Sequence, residues 1–137
     1  MANRTLRTAV TAGLAYVAIA FAAGFALGVL RVTLIAPRLG ETAAVLLELP
    51  IMLALSWLAC RWLIARWHVP ATFVARATMG GLALALLLTA EAVLGTLGLG
   101  RTLAGHLASY QNLPERLGLA AQICFGLFPL VQLRSEN

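Results

Sequence analysis

The stretch AVTAGLAYVAIAFAAGFALGVL, residues 9–30, carries no charge and is almost wholly apolar until Arg31 closes it. At ~1.5 Å per helical residue it matches a hydrocarbon core of ~30 Å. Three further runs follow. Ala43 to Ile64 is interrupted by Glu48 and Ser56 and ends among Arg61 and Arg66, Thr78 to Leu99 contains Glu91, and Leu117 to Leu133 is the shortest. The pattern predicts an all-α membrane bundle of four transmembrane helices, with residues 1–137 forming a single domain.

Composition supports the same class. Of 137 residues, 61% are apolar and 11% charged, with a mean hydropathy of +0.91. Soluble domains carry about 25% charged residues, so this chain has too little polar surface to cover a water-facing particle. The ten basic residues are all Arg and the five acids all Glu, giving a net charge of +5. Because the arginines flank apolar runs, anionic lipid headgroups are the expected partners, at Arg61, Arg66 and Arg76, and nucleic acid is not. Cys60 and Cys124 stand outside any CxxC or metal-ligand spacing and read as small hydrophobes.

The connections carry helix breakers. Residues 37–42, PRLGET, read as a turn whose Glu41 suits the start of the second helix. Pro70 ends the second helical region, and Gly98 and Gly100 end the third. Between Arg101 and Arg116, Leu103, Leu107 and Tyr110 share one face, which predicts a short interfacial helix that Pro114 breaks. Arg4, Arg7 and Ala20-Phe21-Ala22 resemble a cleavable signal peptide. The apolar run continues unbroken to Leu30, however, so a retained first helix is expected.

Arginine placement sets an expected orientation. With the amino terminus inside, Arg4, Arg7, Arg61, Arg66, Arg76 and Arg134 are cytoplasmic, and Arg31, Arg38, Arg101 and Arg116 lie outside. Trp62 and Trp67 then form an inner aromatic belt, and both termini are cytoplasmic.

Helical periodicity places small residues on shared faces: Gly24 and Gly28 as a GxxxG element in helix one, and Gly80 and Gly95 in helix three. Lipid offers no hydrophobic drive to association, so such faces are expected to mediate packing, within the bundle or in a homo-oligomer or with a partner membrane protein. On those same faces stand Arg31, Glu91 and Gln122. Counted along each helix, Glu91 and Gln122 fall ~4–5 Å from the midplane and Glu48 ~8–9 Å, all in the outer half. Charged groups at such depth cost ~2.5–3.5 kcal/mol and need partners. Two readings stand open. One is an ion- or proton-linked site in which Glu91 titrates and Arg31 either holds Glu48 ionised or receives an anionic group. The other is structural glue, with Arg31 paired to Glu48 and a protonated Glu91 bonded to Gln122. Pro50 and Pro129 each free a backbone carbonyl inside a helix, at a kink or beside a site.

No Gly-x-Ser-x-Gly, His-Glu-x-x-His, P-loop or Cys-His cluster is present, and no catalytic residue, cofactor or metal is assigned. His68 and His106 fall on opposite sides of the predicted membrane and read as interfacial residues. The segments GFALGVLR (24–31), PRLGE (37–41) and ELPIM (48–52) resemble small inner-membrane proteins of proteobacteria with four predicted helices and no assigned activity. The resemblance covers roughly the first half of the chain, implies a bacterial inner membrane, and supplies no site residue. The leading expectation is a non-enzymatic protein that binds or conducts a proton, small ion or polar solute through Arg31, Glu48, Glu91 and Gln122. A scaffolding subunit of a larger complex is the alternative, and an intramembrane enzyme comes third.

Overall fold

The computed structural model describes residues 2–98, 100 and 102–136, excepting the side chains of Ala2 and Glu136. Leu99 and Arg101, the expected end of the third run and one of the expected outer arginines, lie outside the described residues. The structure is all-helical, and four of its helices are long and apolar enough to cross a membrane.

Helix α1 (Ala2–Leu30) runs on through a π-helical turn, Arg31–Ile35, into the short α2 (Ala36–Leu39). The turn expected over residues 37–42 is therefore narrower, and Pro37 lies inside the continuous helix just after the π turn, where it withholds one backbone N–H. Gly40 alone reverses the chain, at φ +87°, a conformation that L side chains rarely adopt. Helix α3 (Glu41–Trp67) ends on His68 in the left-handed region. Helix α4 (Phe73–Val93) starts earlier than the apolar run, because Thr72 caps it by accepting the Ala75 N–H at 3.2 Å. A second π turn, Leu94–Gly98, finishes it. The short α5 (Leu103–Ala108), capped by Thr102, and a 3₁₀ turn lead to α6 (Leu113–Glu136).

The bundle is a square in which α1 packs on α3 and α4, and α6 packs on the same two helices. Its core lies toward the end bearing Pro70, where Ala9, Ala12, Tyr16, Cys60, Leu63, Ala75, Met79, Ala83 and Phe125 are buried. Small residues bring the backbones together there. A Cβ on Gly80 would stand 2.0 Å from the Gly126 carbonyl oxygen, and one on Gly13 would stand 2.9 Å from that of Met79. That closeness is how helices associate without a hydrophobic drive.

Two features of this end answer the proline and arginine questions. Pro129 has no N–H, so the Phe125 carbonyl four residues earlier loses its helical donor. The buried Tyr16 hydroxyl donates to that carbonyl at 2.7 Å, and its ring stacks on Phe125 at 4.0 Å. Arg76, expected at a lipid headgroup, is buried instead. Its Nε donates to the Pro70 carbonyl at 3.2 Å and its Nη1 to that of Pro129 at 3.3 Å. Those carbonyls accept two of the guanidinium's N–H groups, so the side chain ties the α3–α4 connection to α6. Arg61 and Arg66 are exposed.

Candidate functional site: a central polar cavity

The half of the bundle bearing Pro37 is open where the other half is closed. A cavity of about 540 Å³ lies there, and all four long helices contribute to its wall. The structure brings Arg31, Glu48, Glu91 and Gln122 to this one cavity, each from a different helical segment.

Arg31 begins the first π turn. Its Nη1 donates to Glu48 Oε2 at 2.8 Å, with the two side chains 31% and 15% exposed. The Gly40 reversal makes this pair possible by folding α3 back along α1. On the far wall Gln122 Nε2 donates to Glu91 Oε1 at 2.5 Å, joining α4 to α6. Gln122 Oε1 is buried and has no hydrogen-bond partner among the described residues. The rest of the wall is apolar or aromatic, including Phe21, Phe25, Met52, Leu87 and Phe125, with Ser56 near the floor. The Tyr16–Phe125 contact lies beneath that floor, toward the closed core.

The glycines divide between two roles. Gly80 packs on Gly126. Gly24 and Gly28 line the cavity instead of meeting another helix: a Cβ on Gly28 would touch nothing within 4 Å, and one on Gly24 only the Met52 Cε at 3.6 Å. They keep α1 thin where a larger residue would fill the space. Gly95, in the second π turn, receives His106, whose Nδ1 would lie 2.9 Å from a Cβ there.

His106 is the residue that sequence reasoning misplaced. It is 9% exposed rather than interfacial, and its ring meets Tyr110 edge-on at 5.6 Å. Leu103 and Leu107 point away from the bundle, 60% and 59% exposed. In α5 the apolar face turns outward and the polar residue inward, the inverse of a helix in water. Burial, together with the negative charge of Glu91, pushes the Tyr110 phenol above its ordinary value. Among the described residues no group of three or more His, Cys, Asp or Glu is placed to hold a metal ion.

The fold and cavity define the chain as an all-α bundle of four membrane-length helices around a mostly apolar cavity on which four polar side chains converge. Comparison with protein-family models, curated proteins and solved structures finds no match to it.

Proposed function

We propose that this is an integral protein of a bacterial inner membrane, with both termini cytoplasmic, that binds a small ion or polar solute in the central cavity, with Glu91 as its titrating group. One observation carries the reading. The cavity is about 540 Å³, within the ~300–1,000 Å³ of small-molecule sites, and Arg31, Glu48, Glu91 and Gln122 converge on a mostly apolar wall. Intramembrane carboxyls are costly and concentrate at functional sites. Arg61 and Arg66 then meet anionic headgroups on the cytoplasmic face. The proteobacterial resemblance supports the choice of membrane, and the arginine distribution supports the orientation.

Two labelling experiments test this. In a background lacking Cys60 and Cys124, Gly28→Cys is expected to react with a membrane-impermeant thiol reagent added outside, whereas Ala83→Cys, at a fully buried position, is not. An unreactive Gly28→Cys in folded protein would sink the cavity reading. Carbodiimide labelling across pH, with the modified residue located by mass spectrometry, is expected to find Glu91. If Glu91 and Glu48 react only after unfolding, the polar pairs are structural.

A further inference from the structure

We infer that the ligand of this cavity is a hydrophobic monovalent cation; the inference rests on the cavity being a ligand site and names the chemistry of its occupant. The charge inventory of the wall leads there. Arg31 and Glu48 form an ion pair at 2.8 Å and cancel, so an incoming anion would have to displace the Glu48 carboxylate. That leaves Glu91, whose partner Gln122 is an uncharged amide. An ionised Glu91 makes the wall net negative, and a cation in the cavity supplies the missing charge. Gln122 Oε1, buried without a partner, adds an acceptor and favours a positively polarised group beside it.

The remainder of the wall discriminates against a small hydrated ion. Phe21, Phe25 and Phe125 put aromatic surface in the wall, of the kind that attracts cations once water is excluded, and Met52 and Leu87 add apolar surface. Inorganic cations such as Na⁺ require several oxygen ligands, and among the described residues no three His, Cys, Asp or Glu side chains gather to hold one. An organic cation carries its charge diffusely and loses little hydration on entering. The rim fits the same class. Phe25 and Val32 line the cavity yet are 58% and 64% exposed, so apolar side chains stand at its rim.

Protons compete for the same carboxylate. The charged or titratable groups that bear on Glu91 are Arg31 from the π turn after α1, with its partner Glu48 on α3, and His106 and Tyr110 from the segment after α4. Protonation of Glu91 removes the negative charge the cation needs, so affinity falls as pH is lowered.

The test uses the purified full chain in detergent and two rigid probes of one shape and opposite charge, tetraphenylphosphonium and tetraphenylborate, measured by equilibrium dialysis. The phosphonium is expected to bind and the borate not. Glu91→Gln is expected to weaken phosphonium binding about 30-fold or more, the loss that follows removal of one partner of a buried charge pair. Gly28→Leu is expected to abolish binding by filling the cavity, and its Cβ enters open space, so the fold survives. Borate binding as tight as the phosphonium, or phosphonium binding indifferent to Glu91→Gln and to pH, overturns the cationic assignment and leaves the cavity standing. If neither probe binds, the assignment also falls. Labelling of Gly28→Cys then decides whether the cavity reading survives without it.

Discussion

The Tyr16 hydroxyl completes the backbone of another helix, and that claim has a measurable coupling. Tyr16→Phe leaves the Phe125 carbonyl without Tyr16 and, because of Pro129, without a helical N–H. An orphaned buried acceptor costs ~1–3 kcal/mol in water-soluble proteins, while side-chain bonds within membranes average ~0.6 and reach ~1.7 kcal/mol. Here no substitute donor stands in the helix, so about 1.5 kcal/mol is expected, toward the upper end of the membrane range. Pro129→Ala restores an N–H to the same carbonyl. In that background Tyr16→Phe should cost only about 0.5 kcal/mol, the residual value of a second bond to an oxygen already served. The predicted coupling is therefore about 1 kcal/mol, read from reversible unfolding of the four proteins in mixed micelles followed by circular dichroism. Loss of the proline ring, which packs near Gly80, enters both arms of the cycle and cancels. A coupling inside the ~0.3–0.5 kcal/mol error of additivity would refute the argument.

Three more outcomes follow from the same geometry. Gly80→Ala drives a Cβ into the Gly126 carbonyl and should destabilise by about 1–3 kcal/mol, whereas Gly28→Ala meets nothing and should be neutral or slightly stabilising; thermal unfolding in detergent separates the two. Arg31→Met should cost about 2 kcal/mol by leaving Glu48 unpaired in a half-buried site, and adding Glu48→Leu should recover most of it; a double variant no better than the single one contradicts the pairing. The Tyr110 phenol is held above its ordinary 10.0, so its stabilising contribution is complete below that pH and is lost as pH rises through the raised value. Alkaline unfolding followed by phenolate absorbance should therefore lose a component in Tyr110→Phe, and an unchanged profile would count against it.

Hydropathy made the four helices legible because each run is the length a bilayer demands, and 3.6-residue periodicity put Arg31, Glu91 and Gln122 on the faces of small residues, while Glu48 was placed by depth alone and the inward aim of Arg31 was not legible. The helix ends were less legible. A hydropathy run stops at the first polar residues, while a backbone helix continues through Arg4 or Thr78 as readily as through Leu. The Thr72 cap went unread because hydropathy does not register it, although Thr is a favoured residue just before a helix. The two π turns leave no mark in composition. Arg76 and His106 were misread for a shared reason: a polar side chain at a helix end can reach outward to headgroups or inward to protein. Which it does depends on partners far along the chain. For Arg76 these are Pro70 and Pro129, and for His106 the space above Gly95.

Glycine does opposite work in the two halves of one bundle, and this shapes what the protein can do. Toward the Pro70 end, Gly13 and Gly80 face the backbone of a neighbouring helix, so the absent side chain becomes contact. Toward the Pro37 end, Gly24 and Gly28 face no close neighbour, and the absent side chain becomes volume. The difference lies in the opposing helix, not in the glycine, and a GxxxG pattern alone therefore cannot announce a dimer interface. Its consequence is a chamber with one open end. The cavity reaches Ala20, Ser56 and Phe125 and stops, with Tyr16, Cys60 and Ala83 closed beneath it. Passage across the bundle would require Tyr16 to release the Phe125 carbonyl, at a cost no open pore carries. On the proposed reading, binding needs only this conformation, and conduction would need a second one in which that hydrogen bond is broken.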